Sequence, residues 1–324
     1  VDSGIKNLHK YIIYQNKYTT AICVLDPTNG IDIHGNKYNI NNTAPMRAIK
    51  MGDIIFINNR TNHIVNAPLI TGNISIISTH PDTMGEVKVS VGGIDGTFDG
   101  ATSKKPIASC IKIFLMLLIL DMEICNLNTK CYDLPGFCFK NKFYYVNEDL
   151  YKDLQSKANM HDVYGIWLNK NVDSIFKGDL SLIDAFWLSR NIPFLNIMLN
   201  HVGLKRLDQF LIDCGITNKH HLYPSIILGN SEDISNEEFA HRCTILYSNG
   251  YRTHYNWLNN IQYKDNIVYE TNKGLYGKQI VKPEAIFNVF TALKYATLNG
   301  YPSINSLNRL PMKVIYSKTG TTTL

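Results

Sequence analysis

The sequence predicts an α+β protein in which a small all-β module, residues 1–72, precedes a larger helix-rich domain built around a sheet, residues 73–324. In the first module, short apolar and β-branched runs are separated by turn signals such as Asn29-Gly30. Farther along, Ser235-Asn236-Glu237-Glu238 is a capping box, which predicts a helix that ends near Gly250. Strands first and then mixed helices and strands are typical of the α+β class.

The individual elements follow from local patterns. Apolar residues at helical spacing from Leu180 to Leu188 predict a helix, and Pro193 predicts the start of the next one. Pro283 likewise predicts a helix that ends near Gly300, and the alternation from Gly85 to Gly93 predicts a strand. The apolar run Ile113 to Leu120 is far too short to cross a bilayer, so we expect a buried core helix. The strand-like runs of the first module are Thr19 to Leu25, Ile31 to Ile33, Asp53 to Asn58 and Ile64 to Ala67.

Composition fits a moderately large globular chain. With 324 residues, of which 45% are hydrophobic and 18% charged, about two domains can each bury a core. A net charge of +5 favours contact with anionic wall polymers or lipid headgroups but is too diffuse to indicate nucleic-acid binding. The odd number of cysteines leaves at least one unpaired, and both disulfides and free buried thiols remain open for the rest. No zinc-site spacing accompanies them, so we expect no metal and no cofactor. The cysteines are Cys23, Cys110, Cys125, Cys131, Cys138, Cys214 and Cys243.

The first candidate site element is Ser109-Cys110-Ile111-Lys112, an S-x-x-K motif at the start of the predicted core helix. Lys112 follows Ser109 by one helical turn and shares its face. A lysine amine that is partly desolvated and near other cations can have a lowered pKa and accept the serine proton. Ser174 and Lys177 also match the motif, but Gly178-Asp179 stops a helix there, which favours Ser109 as the nucleophile.

The second element is Ser189-Arg190-Asn191, an S-x-N motif between two predicted helices. On such a connection a hydroxyl can relay a proton and a side-chain amide can bind a substrate backbone. Taken alone, the motif is explained better by helix capping, because Ser and Asn are common cap residues. Ser303-Ile304-Asn305 and Ser306-Leu307-Asn308 match the same pattern.

The third element is Lys318-Thr319-Gly320-Thr321, which follows the strand-like run Met312 to Tyr316. We expect it at a sheet edge, where a peptide can add as an extra strand, Gly320 allows close approach and Lys318 attracts a carboxylate. Alone, Lys318 could be an exposed lysine at a strand end. The order S-x-x-K, S-x-N, K-T-G is that of serine acyl-transfer enzymes, and the three elements together predict that chemistry.

Beyond these motifs, the chain resembles the class A penicillin-binding proteins over roughly residues 73–324. The departures are Ile107-Ala108 where the family usually has Pro-Gly, Ile113 where it has Pro, Gly100 in place of an arginine, and Cys110 beside the nucleophile. The segments that carry the resemblance are Gly85 to Gly93, Phe98 to Thr102, Ser109 to Phe114, Ser189 to Gly215, Ser225 to Glu232, and Phe239 to Gly250.

The resemblance implies the transpeptidase fold shared with β-lactamases, helices around an antiparallel sheet, and a penicillin-sensitive D,D-transpeptidase. Its substrate would be the stem peptide of a lipid-linked peptidoglycan precursor, and β-lactams would inhibit it. Ser109 would be the nucleophile and Lys112 its base, with Ser189 and Lys318 passing the proton to the leaving D-Ala. The amides of Ser109 and Thr321 would hold the oxyanion. The implied substrate-binding residues are Asn191, Thr319, Gly320 and Thr321.

The resemblance also extends to the first module. Met51 to Ile57 is similar to the closing strand of the OB-like insert of many Gram-negative class A proteins, which implies a docking or spacer module for wall-synthesis partners. A periplasmic location with an inner-membrane anchor is implied, with the anchor and a glycosyltransferase domain preceding Val1. Further strands and a closing helix would follow Gly320, so we expect the chain to be a piece of a longer protein.

Two alternatives stay open. A class A β-lactamase needs a Glu-x-x-Leu-Asn segment between the second and third motifs, and none lies between Asn191 and Lys318. A non-catalytic relative, either a wall-synthesis scaffold or a decaying fragment, would explain the lost Pro-Gly. Decay would also be expected to erase the Ser, Lys and Asn of the motifs, which all remain.

Overall fold

The computed structural model divides the chain into two compact units: residues 1–74 with 91–100, and residues 75–90 with 101–324. No described helix is long and apolar enough to pass through a membrane. The structure describes residues 19–26, 28–32, 35–39, 49, 54–58, 60–66, 73–92, 99–157, 165–217, 223–230, 233–272, 274–300 and 315–321.

The smaller unit contains an antiparallel sheet with strand order β2-β1-β3-β4. The register of β1 and β3 runs from Thr19 opposite Asn58 to Cys23 opposite Ile54. Val24, Ile55 and Ile64 belong to its small buried core. The four strand predictions are confirmed, whereas the likeness to an OB fold stays a prediction. The strands are β1 (Thr19–Asp26), β2 (Ile31–Asp32), β3 (Ile54–Asn58) and β4 (Ile64–Asn66).

In the larger unit, the described strands form small antiparallel sheets. Strand β9 lies between β10 and β11, and pairs form between β5 and β6, β7 and β13, β8 and β12, β14 and β17, and β15 and β16. The strands are β5 (Ile74–Ile77), β6 (Val87–Val91), β7 (Lys104–Pro106), β8 (Lys130–Asp133), β9 (Gly136–Phe139), β10 (Lys142–Tyr145), β11 (Trp167–Asn169), β12 (Gly178–Ser181), β13 (Asp233–Ser235), β14 (Arg252–Thr253), β15 (Asn260–Tyr263), β16 (Asn266–Glu270) and β17 (Leu275–Tyr276).

The helices of this unit surround one that is apolar on every side. In this central helix, α1, each residue from Ile113 to Leu120 is buried, which confirms the predicted core helix. It packs against α5 and α7. The helices are α1 (Lys112–Asp121), α2 (Glu148–Ser156), α3 (Leu182–Trp187), α4 (Ile192–Ile197), α5 (Leu204–Asp213), α6 (Asn236–Arg242) and α7 (Pro283–Asn299).

Helix boundaries follow their capping residues at the start more closely than at the end. The capping box at Ser235 is formed as predicted, with Glu238 bonding back to the Ser235 amide. The α-helix then ends at Arg242 and continues as a 3₁₀ turn over Cys243–Leu246, so the predicted end near Gly250 is wrong by several residues. Helix α7 begins at Pro283 and ends before Gly300, as predicted.

The prediction of a strand at the K-T-G element is wrong for the part that the structure describes. Residues 315–321 form no strand, while residues 312–314 lie outside the described residues. Side chains hold this segment instead: Ser317 shares a 2.9 Å hydrogen bond with Thr297 of α7, and Tyr316 packs on the Phe290 ring. Contacts with a helix therefore take the place of a strand ladder.

All six cysteine thiols that the structure describes are free. For these residues, free thiols rather than disulfides are therefore the correct alternative. Cys138 donates to Asn169 Oδ1 at 2.9 Å and is buried, as are Cys131 and Cys214. Burial raises the pKa of the Cys138 thiol to about 12, so it stays protonated and behaves as a small core side chain.

Candidate active site

The nucleophile candidate lies on a 3₁₀ turn, Ala108–Ile111, that leads directly into helix α1. Ala108 has φ +49°, in the left-handed region, and its amide donates to Gly229 O at 3.2 Å. A Cβ at Gly229 would overlap the Ala108 carbonyl oxygen, and Gly229 itself has φ +71°, so only glycine fits there. The Leu228-Gly229 segment thus supports the turn that carries Ser109.

Lys112 lies at the first position of α1 and is completely buried. Its Nζ is 3.0 Å from Ser109 Oγ, 2.8 Å from the backbone oxygen of Ser189 and 2.8 Å from Asn191 Oδ1. Burial lowers the pKa of this amine well below its usual value, and the positive charges of Lys318 and Arg190 lower it further. Both effects make the Lys112 amine easier to deprotonate than an exposed lysine.

The three partners of Lys112 determine what the neutral amine can do. A neutral amine has two N–H donors and one lone pair. The Ser189 and Asn191 oxygens are both carbonyl acceptors, so they take the two N–H groups. Ser109 is the one hydroxyl among these partners, and its O–H can donate to the remaining lone pair. A deprotonated Lys112 would thus accept a hydrogen bond from the Ser109 hydroxyl, which is the arrangement that precedes transfer of that proton.

The S-x-N element forms the short connection between α3 and α4. Ser189 has φ +56°, its backbone oxygen accepts from Lys112, and its Oγ accepts from Lys318 Nζ at 2.9 Å. One serine therefore links both lysines, through its main chain and its side chain. The described geometry brings together Ser109, Lys112, Ser189 and Lys318, as the sequence predicted.

Asn191 does not cap its helix, although the capping alternative was the simpler explanation of the motif. It occupies the N-cap position of α4 without a side-chain capping bond. Its Oδ1 accepts from Lys112, and its Nδ2 donates to Lys170 O at 3.0 Å. With only 8% of Asn191 exposed, the described contacts make it a partner of Lys112. Its predicted contact with substrate stays a prediction.

The S-x-N connection is held by residues that the sequence analysis missed. Arg190 Nε donates to Asp133 Oδ2 at 2.8 Å and Arg190 Nη1 to Asp173 Oδ2 at 2.8 Å. The backbone N–H of Asn191 donates to Asn171 Oδ1 at 2.8 Å. No motif marks these positions, since each is an isolated polar residue in a strand or loop.

The K-T-G segment crosses the nucleophile turn at close range. A Cβ at Gly320 would lie 2.9 Å from Cys110 Sγ and 3.1 Å from Ile107 O, so a side chain there would force the two segments apart. The Cys110 thiol contacts Lys318 O at 3.8 Å. Burial lowers the pKa of the Lys318 amine to about 8. Lys318 Nζ also donates to Thr319 O at 2.7 Å.

These segments enclose a cavity of about 280 Å³. Ser109 and Ser189 line it together with residues 319–321, and Lys112 and Asn191 are buried next to the two serines. A larger cavity, of about 610 Å³, lies at the other end of α1 beside Leu120 and Lys282, away from these groups. The remaining lining of the smaller cavity is Val172, Asp173, Leu188 and Arg190.

Comparison with known proteins identifies a related fold. No protein-family model matches the chain. Penicillin-binding protein 1A from Haemophilus influenzae matches 99% of the chain with a TM-score of 0.62 at 17% identity. The chain has the fold of the class A penicillin-binding proteins. The resemblance stated from the sequence is thus confirmed at the level of fold.

Two further penicillin-binding proteins are similar to this chain, one in sequence and one in structure. Penicillin-binding protein 1B of Buchnera aphidicola subsp. Baizongia pistaciae is 28% identical over 141 residues, or 42% of this chain. Penicillin-binding protein A from M. tuberculosis, in its imipenem acyl-enzyme complex, matches 71% of the chain with a TM-score of 0.52 at 14% identity. The chain spans 18% of the 1B protein and 52% of the 1A chain.

The competing S-x-x-K match at Ser174 and Lys177 does not form a site in the described residues. Ser174 and Lys177 are both exposed, and Ser174 lies in a turn with φ +58°. Lys177 instead uses its backbone amide to donate to Asp133 at 3.0 Å. The matches at residues 303–305 and 306–308 lie outside the described residues.

Proposed function

We propose that the chain carries a serine D,D-transpeptidase centre that cross-links peptidoglycan stem peptides through an acyl-enzyme on Ser109. The observation that carries the proposal is the buried Lys112 amine, which lies 3.0 Å from Ser109 Oγ and whose other two partners are carbonyl oxygens. The fold of class A penicillin-binding proteins supports the same reaction class.

In the acylation step, Ser109 Oγ attacks the carbonyl carbon of the penultimate D-Ala and its proton passes to Lys112 Nζ. The amides of Ser109 and Thr321 hold the negative oxygen of the tetrahedral intermediate. As the C–N bond breaks, the departing amine of the terminal D-Ala takes up a proton through Ser189, whose hydroxyl bonds Lys318. The products are the Ser109 ester and free D-Ala.

In the second step, an amine from a neighbouring stem peptide attacks the ester carbonyl and loses a proton to the centre. The Ser109–acyl bond breaks, and the new amide is the cross-link. Lys318, Thr319 and Thr321 bind the terminal carboxylate of the donor peptide, and Gly320 lets that peptide lie close to the nucleophile turn. Asn191 contacts the acyl chain from its position beside Lys112.

The donor is the stem peptide of a lipid-linked precursor, and β-lactams acylate the same serine as inhibitors. The imipenem acyl-enzyme of the M. tuberculosis relative supports this use of the fold. We further propose a periplasmic, membrane-anchored full-length protein in which residues 1–72 form an OB-like docking or spacer domain and residues 73–324 the transpeptidase domain.

The cavity favours a stable acyl-enzyme over rapid hydrolysis. Among the described residues that line it, Asp173 is the one carboxylate. Its Oδ2 accepts from Arg190 at 2.8 Å and its Oδ1 from the Ile175 amide at 3.0 Å, so both oxygens are engaged. A β-lactamase needs a base that activates water after acylation, and Asp173 is poorly placed to serve as one.

The test is intact-mass spectrometry of the purified chain after incubation with benzylpenicillin. We expect one whole penicillin to add, because opening the lactam ring releases no leaving group. Ser109→Ala should show no adduct, while Ser174→Ala should react like the wild type. Absence of an adduct on the folded protein would favour a non-catalytic scaffold.

The rate constant for acylation should depend on pH in a defined direction. Lys318 has a pKa of about 8 and binds the ligand carboxylate only while it is charged, so the rate should fall as pH rises through about 8. Arginine stays charged at all pH values of interest, so Lys318→Arg should remove this alkaline fall. Stopped-flow acylation with a fluorescent penicillin between pH 6 and about 10 measures it. An unchanged alkaline fall in Lys318→Arg would contradict this assignment.

A further inference from the structure

We propose that Asn171 is a positioning residue for the acyl transfer, anchored by Asp133, and that it holds the S-x-N connection so that Asn191 keeps its Oδ1 on Lys112. The inference rests on the proposed function and adds to it two residues outside the three motifs. Neither Asn171 nor Asp133 is among the residues that line the cavity.

The element that Asn171 holds in place is the S-x-N connection. Lys112 has two carbonyl partners, and both come from the S-x-N connection: Ser189 O and Asn191 Oδ1, each at 2.8 Å. Ser189 has φ +56°, a left-handed conformation that costs a non-glycine residue free energy and persists only when its surroundings enforce it. The connection therefore needs contacts from outside itself to keep both oxygens on the lysine.

Asn171 supplies such a contact. Its Oδ1 accepts from the Asn191 amide at 2.8 Å, and its Nδ2 donates to Asp133 Oδ1 at 2.8 Å and to Ile175 O at 3.0 Å. The Asp133 carboxylate and the Ile175 carbonyl only accept, so the NH₂ group must face them and the oxygen must face the Asn191 N–H. The amide orientation is thus fixed by its partners.

Asp133 fixes Asn171 in turn. It is completely buried at the end of β8, and Asn171 is 2% exposed. Besides Asn171, the carboxylate accepts from Arg190 Nε at 2.8 Å and from the Lys177 amide at 3.0 Å. Arg190 is the middle residue of the S-x-N motif, so one buried carboxylate reaches this connection both directly and through Asn171.

A continuous chain of contacts results. It runs from the Asp133 carboxylate through the Asn171 amide to the Asn191 main chain, and from the Asn191 side chain to Lys112 and Ser109. Charge-assisted bonds to a buried carboxylate are stronger and geometrically stricter than neutral ones. Removal of Asn171 would let Asn191 shift, and a misplacement of about 1 Å at a reacting group can cost roughly 10²-fold in rate.

The experiment compares Asn171→Ala with Asn200→Ala in the same folded, penicillin-reactive protein. Asn200 is a matched control because its side chain also bonds the main chain, accepting from Phe143 N at 3.1 Å and donating to Phe143 O at 2.9 Å, away from the cavity. Stopped-flow acylation by a fluorescent penicillin gives the limiting rate and the apparent binding constant, and urea unfolding gives the stability.

We expect Asn171→Ala to lower the limiting acylation rate by roughly 10- to 100-fold with little change in the apparent binding constant. Asn200→Ala should lose stability and keep its acylation rate. Equal rates for the two variants, or a loss in Asn171→Ala that lies entirely in the binding constant, would overturn the proposal.

If Asn171→Ala does not fold, an exchange of the two side chains, Asn171→Asp combined with Asp133→Asn, provides a second test. Asn171→Asp places a carboxylate against Asp133 and should be slow, because two carboxylates repel each other there. Adding Asp133→Asn lets the new amide donate to the carboxylate at position 171, which can still accept from the Asn191 N–H. This carboxylate still faces the Ile175 carbonyl, so the recovery should be partial. Faster acylation in the double variant supports the proposal, whereas a double variant as slow as Asn171→Asp overturns it. Absence of an adduct on the wild type would instead remove the proposed function itself.

Discussion

Replacement of Lys112 by methionine should slow acylation by benzylpenicillin by roughly 10³-fold, within the range of about 10²–10⁴ for loss of a general base. Methionine has a similar length and can fill the same buried space beside α4, but it has no amine to take the Ser109 proton. Among the described residues, the Cys110 thiol and the Lys318 amine are two other titratable groups in this region. Burial raises the pKa of the Cys110 thiol, and the described hydrogen bonds of Lys318 Nζ go to Ser189 Oγ and Thr319 O, so neither group should replace Lys112.

The measurement is the acylation rate of the folded variant, with circular dichroism and urea unfolding as checks on its structure. Lys177→Met is the matched control, because Lys177 belongs to the competing S-x-x-K match and its side chain is exposed. Acylation of Lys112→Met at the wild-type rate would show that another group removes the proton.

Replacement of Gly320 by valine should be nearly as damaging, although this residue provides no catalytic group. A Cβ at position 320 would already lie 2.9 Å from Cys110 Sγ and 3.1 Å from Ile107 O, and valine adds two methyl groups. The K-T-G segment must then move away from the nucleophile turn and take Lys318 and Thr321 with it. A shift of that size predicts a loss of roughly 10²-fold in acylation.

A double-variant cycle tests this explanation. Cys110→Ala removes the sulfur that the new side chain meets first, so it should recover part of the loss in Gly320→Ala, where only the Cβ is added. Cys110→Ala alone should have a small effect, since it removes one weak contact with Lys318 O. If the losses of Gly320→Ala and Cys110→Ala simply add, the contact with the Cys110 sulfur is not the cause.

Local patterns predicted the helix starts and the three motifs because these features depend on neighbouring residues. Pro283 and the capping box at Ser235 fix where α7 and α6 begin, and the apolar run before Leu120 fixes the central helix. The order of the motifs then predicted that the three elements form one serine acyl-transfer site. These inferences need only the chemistry of the residues and their spacing, and a single sequence provides both.

The residues around Arg190 could not be predicted in the same way. Asp133 and Asn171 are 38 positions apart, and Asn171 is 20 positions from Asn191, so no local spacing connects them. The K-T-G segment was expected at a sheet edge because it follows the strand-like run Met312 to Tyr316. Its described part is held by contacts with the Thr297 and Phe290 side chains of α7, which only the tertiary structure reveals.

The residues that contact one another in the active centre lie far apart in the sequence. Lys112 and Asn191 are 79 positions apart, Ser189 and Lys318 are 129 apart, and Cys110 meets Lys318 across 208 positions. Contacts between such distant residues close large loops and form late, after local helices are in place. The centre therefore cannot exist on a growing chain before Lys318 has been synthesised, so that covalent labelling by penicillin would mark only molecules that have completed their folding.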